Sequence, residues 1–249
     1  MPTVLITGCS SGFGLETARH FLAKGWNVIA TMRQPKPDIL PASDRLTILP
    51  LDVTNHESIA KALAQAGDID VLVNNAGFGA AVPIELTEPE TARQLFETNT
   101  LGTLAMLQAV LPQFRARRSG TIINVTSTVT LKPLPLVSVY RASKAAVNAL
   151  TESLAVEMQP FGVRVHIVLP GRSPETSFGN NAMPHLRGLD NPDYKSMIEG
   201  MIANFREEGG PVTHASDVAE AVWQAATDPA APFRIAAGED AVQWMAEAG

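Results

Sequence analysis

Six short apolar runs recur along this chain: Thr3–Ile6, Val28–Met32, Leu46–Leu51, Val71–Val73, Thr121–Val125 and Val163–Leu169. They are rich in Val, Ile and Leu, and several are continuously apolar rather than alternating. A strand with one wet face alternates, whereas a continuously apolar strand has both faces covered, as in a parallel sheet between helical layers. Segments with helical periodicity lie between the runs, near 13–24, 55–66, 88–116 and 138–158. Strand and helix in alternation predict a doubly wound α/β architecture, a parallel sheet of about seven strands with helices on both faces.

Two features interrupt that rhythm. Pro112 falls inside the third helical pattern and is expected to kink or end it. From Gly171 to Pro211 the periodicity weakens among Pro174, Pro184, Pro192 and several glycines and asparagines. A long irregular stretch late in a domain predicts a substrate lid over about 172–213, with a short helix at Tyr194–Phe205. Beyond it, Ala215–Thr227 reads as a helix and Phe233–Ala236 as a last strand. With no repeat or linker, residues 1–249 form one domain.

The chain has 249 residues, 45% of them hydrophobic and 18% charged, so a core can form without disulfide or metal staples. The net charge of −6 argues against a nucleic-acid partner. The one basic cluster, Arg115, Arg117 and Arg118, reads as a solvated helix end. A single cysteine, Cys9, excludes an intrachain disulfide and suits a reducing, cytoplasmic setting. The first residues lack the pattern of a secretory signal, and no apolar run is long enough to predict a membrane span. His20, His56, His166, His185 and His214 show no ligand spacing, so no metal site is expected.

The first strand runs directly into Thr7-Gly8-Cys9-Ser10-Ser11-Gly12-Phe13-Gly14. In a strand–turn–helix context Gly8 permits the tight turn, Gly12 lets the backbone approach a pyrophosphate, and Gly14 lets helix pack on strand. The N–H groups of Ser10, Ser11, Gly12 and Phe13 open the helix, where its dipole favours an anion. This is the phosphate turn of a Rossmann-type fold. A carboxylate at the end of the second strand would hold adenosine ribose hydroxyls and favour NAD(H). That strand instead ends Ala30-Thr31-Met32-Arg33. Arg33 suits a 2′-phosphate, so NADP(H) is favoured and NAD(H) remains possible. Asp38, beyond Pro35 and Pro37, is too displaced for the ribose role.

An ordered set of motifs now accompanies the glycine turn: Asp52-Val53, Asn74-Asn75-Ala76-Gly77, Asn99, Ser127, Tyr140-Arg141-Ala142-Ser143-Lys144, and Pro170-Gly171. In this order and spacing the chain resembles the short-chain dehydrogenase/reductase superfamily in its one-domain form, strongly from residue 3 to about 171. The resemblance implies hydride transfer between a nicotinamide dinucleotide and a carbonyl or alcohol. It implies a catalytic set of Asn99, Ser127, Tyr140 and Lys144. It places Asp52 and Val53 at the adenine, and Asn75, Ala76, Gly77, Pro170 and Gly171 along the cofactor. The family's threonine near the carboxamide falls five residues after this proline, whereas Thr176 falls six after Pro170; either the loop is longer by one or Ser173 takes the task. Relatives pair through their fourth and fifth long helices, implying a homodimer or homotetramer.

Tyr140 and Lys144 are four apart and share one helix face. A phenol is a poor base at neutral pH, and a nearby ammonium is expected to lower its pKa. Tyr140 is then expected to exchange a proton with the substrate oxygen and Ser127 to stabilise charge on that oxygen, while the resemblance implies that Lys144 holds the nicotinamide ribose and Asn99 a relay water. Leu131, Leu134, Leu136, Val137, Phe178 and Met183 are candidates for an apolar substrate wall, with His185 or Arg187 as a polar handle. Two other readings stand beside this one. A silent cofactor sensor on the same fold conflicts with the intact Ser127, Tyr140 and Lys144. A dehalogenase-like relative would carry Arg in place of Lys144 and lack the full glycine turn. Cys9 reads as small packing beside the cofactor rather than a reactive thiol.

Overall fold

A computed structural model describes residues 1–176, 178–206 and 209–248. Its strands are β1 (Thr3–Ile6), β2 (Asn27–Met32), β3 (Leu46–Pro50), β4 (Val71–Asn74), β5 (Gly120–Val125), β6 (Val163–Pro170) and β7 (Arg234–Ala237). They form one seven-stranded sheet in the order β3-β2-β1-β4-β5-β6-β7, and every pairing is parallel. The helices are α1 (Gly12–Ala23), α2 (His56–Ala66), α3 (Pro89–Phe96), α4 (Gly102–Arg117), α5 (Ser138–Met158), α6 (Phe178–Ala182), α7 (Pro192–Arg206), α8 (Ala215–Thr227) and α9 (Glu239–Ala248).

The continuous apolar runs are explained residue by residue. Val4 and Ile6 of β1 join a core with Phe21 of α1 and Val222 of α8. Leu5, between them, points the other way into a core with Ile59 of α2, Met106 of α4 and Leu154 of α5. Ile123 and Ile122 of β5 divide between the same two cores. Neither face is wet, so both parities are mainly apolar and the polar exceptions must be paired internally.

The third helical pattern behaves differently from expectation. Pro112 does not end it: α4 continues to Arg117 and closes on Arg118 in the left-handed conformation (φ 54°). The interior proline costs about 3 kcal/mol. Met106, Leu107, Val110 and Phe114 are all essentially buried, each contributing about 1.5–3 kcal/mol, and this offsets the loss. The interruption comes earlier, at a π-helical turn over Glu97–Leu101 between α3 and α4. Such turns are rare and often sit at functional sites, and this one carries Asn99.

The segment expected as an irregular lid holds α6, α7 and a 3₁₀ turn at Met183–His185. Residues 177, 207 and 208 of it lie outside the described residues, as does the side chain of Phe178. The feet of the segment are clasped together. Thr213 N–H donates to Arg172 O at 2.8 Å, and Gly171 N–H donates to Thr213 Oγ at 2.8 Å. The buried Asp240 carboxylate accepts from Arg172 N–H at 2.6 Å and from the Thr213 hydroxyl at 2.7 Å.

Candidate active site

The carboxyl ends of β1, β4 and β5 open into one cleft of about 890 Å³. Of the residues singled out in the sequence, Gly8, Ser10, Ser11, Gly12, Phe13, Arg33, Asp52, Val53, Asn75, Ala76, Gly77, Tyr140, Lys144 and Thr176 line it. Placing ligands at the strand ends, where the order reverses from β1 to β4, is the general rule for open α/β sheets.

The turns after β1 and β4 are stitched together. The Thr7 hydroxyl oxygen accepts from the N–H groups of Asn75 and Ala76, both at 3.0 Å. Asn75 Nδ2 returns a bond to Thr7 O at 2.9 Å. Gly8 has φ +76°, and a Cβ there would lie 2.9 Å from Ala76 Cα. A Cβ on Gly14 would sit 2.5 Å from both Asn75 Nδ2 and Gly8 O. Gly14 therefore serves turn-to-turn packing and does not line the cleft.

A buried polar ladder fixes the next two strands and α5. Asn74 and Asn124 are register partners on β4 and β5. Asn74 Nδ2 donates to Asn124 Oδ1 at 2.9 Å, and Asn124 Nδ2 donates to Thr151 Oγ on α5 at 2.8 Å. Above it, Ser127 leaves β5 with its side chain capping a 3₁₀ turn through Val129 N–H. Ser127 also hydrogen-bonds the Tyr140 hydroxyl. One turn further along α5, Lys144 Nζ donates to Val125 O at 3.0 Å and lies beneath Gly77, where a Cβ would come within 3.3 Å of it.

Burial governs the charges here. It pushes the Tyr140 phenol up to about 12, opposed only in part by the Ser127 hydrogen bond, and brings the Lys144 ammonium down to about 8. The expected lowering of Tyr140 does not occur in the protein alone, because desolvating the phenolate outweighs the Ser127 hydrogen bond. Cys9 is fully buried, hydrogen-bonds Ile6 O at 3.3 Å and is raised to about 12, which suits packing rather than thiol chemistry.

Asn99 is buried behind Gly77. Its Oδ1 accepts from Phe78 N–H, and its Nδ2 donates to Phe78 O and Ser143 Oγ, all at 3.0 Å. Both amide hydrogens are thus committed to bracing the turn after β4 against α5. Pro170 ends β6 against Ala237, and Gly171 packs against the Asp240 carboxylate. Thr176 lines the cleft facing Gly12, whereas Ser173 is buried, does not line the cleft, and accepts the Thr176 hydroxyl at its carbonyl, 3.0 Å away.

Two lining residues, Lys36 and Phe78, were not singled out in the sequence. Lys36 lines the cleft beside Arg33, and both are exposed. Its only sequence signal was a second cation three residues on, obscured by the flanking prolines. Asp38 is not among the lining residues. Thr126 also lines the cleft, with a buried hydroxyl that has no partner among the described residues. His185 and Phe78 line it together, their ring centroids 5.1 Å apart. Arg187, the other candidate handle, is held by Glu88 at 3.1 Å and by the carbonyls of Pro184 and Leu186. Among the described residues no metal-binding cluster occurs, and no helix is long and apolar enough to cross a membrane.

Comparison with known proteins decides the family: residues 2–184 match the short chain dehydrogenase family. The chain belongs to the short-chain dehydrogenases. It is 34% identical over 239 residues to 3-ketodihydrosphingosine reductase of Bacteroides thetaiotaomicron, covering 94% of this chain and 87% of that one. Among solved structures it is similar to a short-chain dehydrogenase from Streptomyces avermitilis, with TM-score 0.85 and 34% identity over 99% of this chain and 91% of that one. It is also similar to a closed form of serine dehydrogenase complexed with NADP+, with TM-score 0.82 and 31% identity over 96% and 95% of the two chains. This dehydrogenase thus shares its overall fold with those solved structures.

Proposed function

We propose that this dehydrogenase moves a hydride between NADP(H) and a carbonyl or secondary alcohol, with Tyr140 exchanging the proton at the substrate oxygen. The observation that carries this is that Tyr140 and, one helical turn on, Lys144 line the cleft that the glycine turn opens, with the buried Ser127 hydrogen-bonded to Tyr140 from behind the lining.

The cleft fits a dinucleotide. Gly8 and Gly12 bring bare backbone to its floor at the start of α1, where N–H groups and the helix dipole favour phosphates. The unpartnered Thr126 hydroxyl faces the same space. At the β2 end, Arg33 and Lys36 supply two exposed cations and no carboxylate, which suits a 2′-phosphate and makes NADP(H) the preferred form, with NAD(H) second. NADP+ in the serine dehydrogenase relative accords with this. When bound, the nicotinamide supplies or accepts the hydride.

The chain's own residues handle the proton and the oxygen. With its pKa near 12, Tyr140 carries its proton at neutral pH and starts as a donor, the role that ketone reduction needs. Ser127 fixes the phenol and offers a second donor to the same oxygen as charge develops there. Lys144, at about 8, is mostly charged at pH 7 and is placed by Val125 O to hold ribose hydroxyls near Gly77. We further assign the dehydrogenase to a homodimer or homotetramer through α4 and α5, whose neighbourhoods expose Leu101 and Val156 to solvent.

The test is a panel of ketones and alcohols with NADPH and NADH, run on wild type and on Tyr140→Phe. Tyr140→Phe is expected to lower kcat by about 10²–10⁴-fold while NADPH binding, followed by its fluorescence, persists. Equal rates in the two proteins would sink the mechanism. Arg33→Ala is expected to weaken NADPH binding more than NADH binding; an unchanged ratio would sink the cofactor assignment.

A further inference from the structure

We infer that the substrate is an uncharged ketone or secondary alcohol with an apolar arm, packed against an aromatic wall made by Phe78 and His185. This rests on the hydride-transfer reading of the same cleft. Tyr140 belongs to an apolar cluster with Ala80, Val82 and Leu95, and Val129 and Val137 pack against it. Phe78 comes from the turn after β4 and His185 from the lid. Their rings meet at 5.1 Å and 33° with both lining the cleft, so the wall is continuous from the floor to the lid. Flat, apolar surface of this kind rewards contact with an aryl or alkyl group.

The arginines and lysines described at this end disfavour the other common class, a carbonyl with an adjacent carboxylate. A carboxylate taken out of water needs a cationic partner. Among the described side chains, two lid guanidiniums are committed elsewhere: Arg172 donates to the carbonyls of Asn204, Phe205 and Pro211, and Arg187 pairs with Glu88. Of the cations that line the cleft, Arg33 and Lys36 follow β2, three strand spacings or about 14 Å across the sheet from β5. Lys144 is tied to Val125 O beneath Gly77. Glu97 lines the same cleft and adds a charge of the wrong sign for an anion.

The experiment uses NADPH-dependent reduction of acetone, acetophenone, 2-octanone and 2-oxooctanoate, with His185→Ala, His185→Phe and Tyr140→Phe beside wild type. Wild type should favour acetophenone and 2-octanone over 2-oxooctanoate by about 100-fold in kcat/KM. His185→Ala should lose about tenfold on acetophenone, chiefly in KM, and less on acetone. His185→Phe should retain the acetophenone rate, because it keeps the ring. Failure to reduce any neutral ketone, equal losses at every substrate size, or a His185→Phe as poor as His185→Ala would overturn the inference. Faster turnover of the oxo acid that still vanishes in Tyr140→Phe would overturn the substrate class alone. Ketone reduction by Tyr140→Phe at the wild-type rate would overturn the hydride-transfer reading beneath it.

Discussion

Asp240 gives the sharpest structural prediction, because it holds both feet of the lid from outside the lid. One carboxylate oxygen accepts from Arg172 N–H at 2.6 Å, and the other from the Thr213 hydroxyl at 2.7 Å. In Asp240→Ala the Thr213 hydroxyl still reaches Ala237 O at 2.7 Å, so that half of the loss is small. Arg172 N–H loses a charged acceptor in a largely buried setting, which costs about 2–3 kcal/mol. The carboxylate also packs closely on Gly171, so its removal leaves a void as well. The sum is about 3 kcal/mol. For a chain of this length each 1 kcal/mol lowers Tm by about 2–4 °C, so Asp240→Ala should melt about 6–12 °C below wild type. Asp240→Asn keeps an acceptor for Arg172 and can donate to Thr213 Oγ, so it should stay within about 1 kcal/mol. Thermal unfolding followed by circular dichroism measures both, and limited proteolysis reports opening at 172–213. In Asp240→Ala the KM for ketone should rise more than kcat falls, since the chemistry is untouched. An Asp240→Ala Tm within about 2 °C of wild type, or an Asp240→Asn as damaged as Asp240→Ala, would refute the clasp.

Lys144 predicts an alkaline gain in stability. Its ammonium titrates at about 8 when folded and 10.5 when unfolded, so the unfolded chain binds more protons between those values and stability rises with pH there. Urea unfolding of wild type should strengthen by about 1 kcal/mol from about pH 7.5 to 9, and Lys144→Met should stay flat over that window. The window closes there because Cys9 and Tyr140, both raised to about 12 from 9.0 and 10.0, withdraw stability above those unfolded values. A wild-type slope no steeper than that of Lys144→Met would contradict the burial argument. Gly14→Ala drives a methyl to 2.5 Å from Gly8 O, a backbone atom that must move with the turn. It should cost about 1–3 kcal/mol and weaken NADPH binding at least about tenfold; titration of the cofactor fluorescence at the wild-type value would dismiss it.

How far these features were legible from sequence follows from the range of the interactions behind them. The strands were legible because two-sided burial writes itself into consecutive residues: Val4, Leu5 and Ile6 are apolar for two different cores. Helix α8 was legible to the residue, Ala215–Thr227, because its stripe and its ends are local. The glycine turn and the Tyr140–Lys144 spacing were legible for the same reason. What failed was set by partners far along the chain. Pro112 argues locally for a kink or an end, yet side chains buried against β4, β5 and α2 carry α4 on past it, and the irregular turn lies instead at Glu97–Leu101. Asp240 lies 68 residues from Arg172, and Lys36 reaches the cleft only through the bend after β2. The electrostatic miss is the most instructive. Four residues of spacing bring an ammonium toward a phenol, but spacing carries no information about how much water each has lost. The structure removes nearly all of it from both groups, and desolvation raises one and lowers the other until Tyr140 rests as a proton donor. On the proposed reading, a protonated Tyr140 starts as the donor for reduction while oxidation must first remove that proton, so alcohol oxidation should gain more from rising pH than ketone reduction does.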